Sequence, residues 1–250
     1  MIISSTAKED KIRYLRDLIR DSNHIVCLMG VGMEIECGGR NLWSSDEAYR
    51  IEDEYGLSPE EILSGAFYST KKQKFYEFYN KEILHVDIHP GAGYHAIKHL
   101  QDIGKLSAVI TRDILGLPEE AGINNVIRLR GNRNVNQCPQ CHKFYDIGFM
   151  RSFKTIPLCT QCQAPIRPRI QLYGEMIRND VLTAASEAVF NAGIILVLGT
   201  NMGSPMVSSL LQYYEGSHKI LITLHEHHND SNADLFIHGK VEDILPKVVY

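Results

Sequence analysis

The stretch HIVCLMGVG, His24 to Gly32, is a short apolar run that ends on two glycines. A run of this length without polar alternation predicts a strand covered on both faces that turns sharply at its end. Glycines at such a turn allow two backbones to approach closely. They also allow N–H groups to reach a diphosphate at the start of a following helix. The third glycine of a dinucleotide fingerprint is absent, because Ile35 stands in its place. A plain tight turn and a nucleotide loop therefore both remain open for Gly30, Val31 and Gly32.

Outward from this stretch, helices and strands alternate. KEDKIRYLRDLIRDS places Ile12, Leu15, Leu18 and Ile19 on one helical face. GYHAIKHLQDIG predicts a helix, and LSAVIT and NNVIRLRG predict strands. DVLTAASEAVFNAG predicts a helix capped by Asp180. IILVLGT and KILITL are further strands, and ADLFIHGKVEDILPKVV closes with a strand and a helix. Residues 46–84 are mainly helical in pattern, with Ser58-Pro59-Glu60-Glu61 as a helix start. This order predicts an α/β fold with a doubly wound, mainly parallel Rossmann-like sheet. The sheet domain is expected over 1–137 and 166–250, and a small inserted zinc-ribbon domain over 138–165. A helical part of the small domain is expected within 40–85.

The chain has 250 residues, 44% hydrophobic and 22% charged, with a formal net charge of -4. That balance gives no electrostatic reason to expect nucleic acid as a partner. The sequence holds no apolar run long enough for a membrane span, and its first residues lack the apolar core of a signal peptide. The expectation is a cytoplasmic protein with no membrane partner.

Four of the six cysteines form Cys138-x-x-Cys141 and Cys159-x-x-Cys162, separated by seventeen residues. Two such knuckles complete a tetrahedron of thiolates around zinc, and four sulfurs leave no open position, so the metal is expected to be structural. Cys27 and Cys37 read as free thiols in or beside the core. His225, His227 and His228 in HEHHND read as a solvated loop rather than as a metal site. The Phe and Tyr residues of KKQKFYEFYNKE have helical spacing and read as core.

Taken together, these pieces resemble the sirtuin family of NAD-dependent protein deacylases. GVGMEIECGG is similar to its G-A-G-I-S-x-E-S-G-I segment and keeps Gly30, Gly32, Glu36 and Gly38. VITRDILGLPEEAG resembles V-I-T-Q-N-I-D-x-L-H-x-x-A-G, and RLRGN resembles E-L-H-G-S ahead of the cysteines. RPRIQLYGE resembles R-P-x-V-V-x-F-G-E, and LVLGTNMGSP resembles the strand and loop that line the cofactor. The resemblance implies a cleft between a Rossmann-like domain and a zinc ribbon, holding NAD or ADP-ribose and an acyl-lysine protein. It implies that Gly30, Val31, Gly32, Glu34, Glu36, Trp43, Gly199, Thr200 and Asn201 bind the cofactor. Ile170, Gln171, Tyr173, Gly174 and Glu175 are implied to form the substrate cleft.

The catalytic motifs depart from the family. Arg130 stands at the histidine general base, and a guanidinium has no lone pair to accept a proton. Asp113 stands at the asparagine, Arg112 at its glutamine neighbour and Leu115 at the aspartate. Pro118 replaces a further histidine, and Glu34 replaces a serine in the glycine loop. Asn41-Leu42-Trp43 replaces D-F-R, and Gln171 a small apolar wall residue. The expectation is a deacylase-family protein with ordinary deacetylation impaired, in which Arg130 either pairs with Asp113 or turns toward the phosphates. NAD-dependent ADP-ribosyl transfer, a nucleotide-binding pseudoenzyme and a ribbon adaptor with a vestigial cleft are the alternatives.

Overall fold

The computed structural model describes residues 7–250. Among the described residues nine strands form in chain order: β1 Ile25–Met29, β2 Leu106–Thr111, β3 Val126–Arg128, β4 Gly131–Gln137, β5 Phe144–Tyr145, β6 Arg167–Ile170, β7 Ile194–Leu198, β8 His218–Thr223 and β9 Leu235–His238. Six of them make one sheet in the order β3-β2-β1-β7-β8-β9, with every pairing parallel. Strand order reverses direction between β1 and β7, and in such sheets the crevice at this point takes the ligand.

All five residues of β1 are buried, as an unbroken apolar strand requires. Their side chains alternate between two cores. Ile25, Cys27 and Met29 join the core under the helices Lys8–Asp21, Ala92–Asp102 and Val241–Val249. Val26 and Leu28 join the opposite core, under Asn179–Phe190 and Pro205–Leu211. The sheet is therefore doubly wound. One local expectation fails: Asp180 does not cap the helix Asn179–Phe190. Arg178 occupies the cap position, and Asp180 lies in the first turn, bound to the Arg178 guanidinium.

A second sheet of three antiparallel strands, β5-β4-β6, carries the cysteine knuckles. It begins at Gly131, which has φ +78°, and a Cβ there would lie 1.9 Å from the Arg169 carbonyl oxygen. The glycine of RLRGN is thus demanded by the approach of β4 to β6. Short helices fill 45–79, and one of them, Pro59–Ile62, opens with a full capping box between Ser58 and Glu61. Phe75, Tyr76, Phe78 and Tyr79 are buried, as their spacing predicts. Tyr76 donates to the Ile166 carbonyl and Arg151 to the Leu84 carbonyl, which ties these helices to the ribbon.

Candidate functional site

The crevice begins where β1 and β7 end. Gly30 donates its N–H to Leu198 at 2.9 Å, and Gly32 donates to Gly199 at 2.8 Å. A Cβ on Gly32 would sit 2.5 Å from the Gly199 carbonyl oxygen, and one on Gly30 would sit 2.3 Å from Thr200 Cβ. Close packing of the two turns explains these glycines without a ligand. The same packing brings Gly30, Val31 and Thr200 to one cavity of about 260 Å³, together with Glu34, Trp43, Arg112, Asp113, Arg130 and Tyr173. A narrower recess of about 70 Å³ adjoins it, bordered by Glu34, Trp43, Arg112, Leu115, Arg130 and Glu82.

Arg130 does not pair with Asp113. Its guanidinium carbon lies 5.1 Å from the ring centre of Trp43 and 5.1 Å from that of Tyr173. The side chain is buried at 7% exposure, and no carboxylate among the described residues lies within ion-pair distance of it. Two aromatic faces offset part of the burial cost, at ~0.5–2 kcal/mol each. Burial lowers the Arg130 pKa from its ordinary value, and Arg112 nearby adds to that.

Asp113 is occupied with its own loop. Its oxygens accept the N–H groups of Leu115 and Leu117, and its backbone N–H donates to Thr111 Oγ1 at 2.9 Å. These bonds build the turn after β2, which is a sufficient reason for a carboxylate here. Burial still raises the Asp113 carboxyl above its ordinary value, against those backbone donors. Burial also holds Glu34 well above its ordinary value, and neighbouring Asp113 raises it further, while Arg130 and Arg133 pull it down.

A third cavity, about 290 Å³, lies beyond the glycines and is bordered by Val31, Gly32, Glu36, Gly199, Thr200 and Asn201. Glu36 has a clear structural task here: its two oxygens accept the N–H groups of Val241 at 3.1 Å and Glu242 at 3.0 Å. It therefore holds the N-terminus of the helix Val241–Val249. His225 and His227, read as a solvated loop, border this same cavity with Leu224.

The expected substrate residues divide. Tyr173 faces the central cavity, whereas Ile170, Gln171 and Glu175 border a separate cavity of about 340 Å³ with Arg128, Arg167, Arg169 and Arg178. Gln171 donates to the Glu175 carbonyl at 2.7 Å, and Glu175 pairs with Arg167. Gly174 has φ +82° and borders none of these cavities.

At the far end of the ribbon, the four cysteine Sγ atoms lie within 4.8 Å of one another. Cys138–Cys162 and Cys141–Cys159 are each separated by 3.4 Å. A tetrahedral ion with Zn–S bonds of ~2.3 Å needs S···S edges of roughly 3.8 Å, so the set fits zinc. His142 and Gln163, each just after the second cysteine of its knuckle, both have φ +61°. Backbone N–H groups of Cys141 and Gln161 point at Cys138 Sγ and Cys159 Sγ, and the Tyr145 hydroxyl donates to Cys159 Sγ at 3.0 Å. Such donors stabilise thiolates, and the four cysteines are positioned to bind zinc.

Sheet order, crevice and four-thiolate ribbon together define an α/β protein with a ligand cleft between a parallel sheet and a structural metal module. The model of the Sir2 family matches residues 30–204, and the chain belongs to that family. It is 31% identical over 242 residues to an NAD-dependent protein deacetylase of Clostridium perfringens, covering 96% of this chain and 99% of that protein. A second NAD-dependent protein deacetylase, from Clostridium tetani, is 31% identical over 241 residues, covering 96% and 98%. Among solved structures, a Sir2 homolog–NAD complex superposes with a TM-score of 0.81 at 26% identity, covering 95% of this chain and 92% of that one. Sir2 bound to acetylated peptide superposes at 0.78 with 25% identity, covering 95% and 96%. Among the described residues no helix is long and apolar enough to cross a membrane.

Proposed function

We propose that this chain binds NAD or ADP-ribose in the crevice at the ends of β1 and β7, and that its ordinary lysine deacetylation is impaired. The observation that carries this reading is Arg130, a cation held between Trp43 and Tyr173 inside the cleft. By resemblance it stands where the family places a histidine base, and an arginine cannot do that work. The relatives named NAD-dependent protein deacetylases, the Sir2 homolog–NAD complex and the complex with acetylated peptide support NAD and an acyl-lysine protein as ligands.

Bound NAD would supply an activated ribose carbon with nicotinamide as leaving group. The chain's own contribution begins with the close packing of Gly30 and Gly32 against Gly199, which spends the N–H groups of these glycines on backbone carbonyls but brings Val31 and Thr200 to the cavity. Arg112 and Arg130 add positive charge to the central cavity. Leu115 lines the narrow recess with an apolar side chain, so it offers no polar contact there. Trp43 and Tyr173 lock Arg130 in place, and the loop after β2 is fixed by Asp113. This set binds and orients a nucleotide but presents no neutral imidazole. That imbalance favours, as second reading, a member that holds the nucleotide without turning it over.

Calorimetric titration with NAD and ADP-ribose, with nicotinamide release measured in parallel on an acetyl-lysine peptide, tests the proposal. Binding with slow or absent release is expected. Rapid deacetylation, or no binding of either nucleotide at millimolar concentration, would overturn it.

A further inference from the structure

We propose that Glu34 is the catalytic base of this cleft, accepting the proton that the family histidine would otherwise take. The inference rests on the nucleotide reading above and assigns a residue within it. Glu34 borders both the central cavity and the narrow recess, so its carboxyl faces the space on either side of Arg130. Its backbone is fixed: the carbonyl accepts Gly39 at 2.8 Å and Cys37 at 3.1 Å.

The other groups around the two cavities are excluded one by one. Both Asp113 oxygens are taken by backbone donors of Leu115 and Leu117. Glu82 is held by Arg50 at 2.7 Å and by Arg40 at 3.0 Å. Arg112 and Arg130 have no acceptor atom. Burial pushes the Tyr173 phenol above its ordinary value. The Glu34 carboxyl makes no hydrogen bond among the described residues, and the residue is only partly buried at the edge of both cavities. A free carboxyl in such a place is available to a proton.

The surrounding charges set when it can accept one. Asp113 repels its charged form; Arg130 and Arg133 favour it. Arg112 shares both cavities, and Tyr94 on the helix Ala92–Asp102 lies near enough for the charges of Asp113 and Glu34 to raise its buried phenol further. Burial raises the carboxyl above its ordinary value, which strengthens it as a proton acceptor when ionised.

In the step proposed, the Glu34 carboxylate takes the proton of a ribose hydroxyl as that oxygen bonds to the acyl carbon. The O–H electron pair becomes the new O–C bond, and the π pair of the acyl carbon moves onto its own heteroatom. The proton remains on Glu34 as a carboxylic acid and passes to solvent when product leaves.

The test uses the zinc-loaded full chain, with Glu34→Gln and Glu34→Asp. ADP-ribose binding is titrated in two buffers of different ionisation enthalpy, which reports proton uptake independently of turnover. The parent should take up a fraction of a proton on binding this anion, and Glu34→Gln should bind with no uptake. With NAD and an acetyl-lysine peptide, Glu34→Gln should lower kcat by ~10²-fold or more at unchanged or lower KM, with Glu34→Asp intermediate. The proposal is overturned if Glu34→Gln keeps the parent's turnover or proton uptake, or if the parent binds ADP-ribose but never releases nicotinamide. Failure of every form to bind ADP-ribose would instead sink the nucleotide reading itself.

Discussion

The N–H of Gly32 donates to the carbonyl of Gly199 at 2.8 Å, and no side chain fits between the two backbones. Two turns from strands paired side by side thus share one volume. Gly32→Ala should destabilise the chain by ~1–3 kcal/mol through overpacking against backbone that cannot yield. Urea unfolding measures this, and a loss below about 0.5 kcal/mol would mean that the turns separate readily.

The stacked arginine predicts a gain as well as a loss. Arg130→His should raise deacetylation of an acetyl-lysine peptide by ~10²-fold, the lower end of general-base assistance, because Asp113 and Leu115 remain unlike the family. Chromatographic assay of deacetylated peptide reads it. No gain would mean that the base position does not limit the reaction.

Stability should fall with rising pH at Glu34. Its folded-state carboxyl titrates above its ordinary value of 4.5 because burial and Asp113 disfavour the charge. Its protonated form therefore stabilises the fold fully below that ordinary value, and the contribution is lost as pH rises through the folded value. Glu34→Gln should flatten this slope in thermal melts taken from pH 4.5 upward. Parallel slopes in parent and variant would remove Glu34 as the source.

Nucleotide affinity should respond to the same residue. A carboxylate beside a diphosphate is repulsive in a half-enclosed site, even with Arg130 and Arg133 near enough to favour its charge. Glu34→Ser should tighten ADP-ribose binding, and Glu34→Gln should recover only part of that gain, since it drops the charge but keeps the bulk. Calorimetry decides, and weaker binding by both variants would show that Glu34 aids the nucleotide instead.

One zinc ion per chain should copurify, held by Cys138, Cys141, Cys159 and Cys162. Cys159→Ser should open the small sheet to proteolysis while the six-stranded sheet keeps its far-UV signal, because zinc-site binding energy is folding energy for such modules. Metal-free protein with an intact ribbon would contradict this.

Much of this architecture is local in origin and so legible in the sequence. The buried run of β1, the capping box at Ser58 and the paired knuckles each depend on neighbours a few residues apart. The site is less legible because its contacts are not local. Arg130 meets Trp43 and Tyr173, and neither distance along the chain is periodic. Glu36 reads as a cofactor contact by motif, yet its oxygens bind Val241 and Glu242, some 205 residues on. A pairing of Arg130 with Asp113 is reasonable from charge alone. It fails because backbone donors two and four residues away reach Asp113 first.

Arg133 on β4 donates to the carbonyls of Leu115 at 3.1 Å and Val86 at 3.0 Å and also to Ile83, while its own N–H donates to Ile114 at 2.8 Å. The loop after β2 is therefore fastened to the ribbon and its helices rather than to the sheet from which it emerges. Any rocking of the small lobe would carry that loop along as cargo.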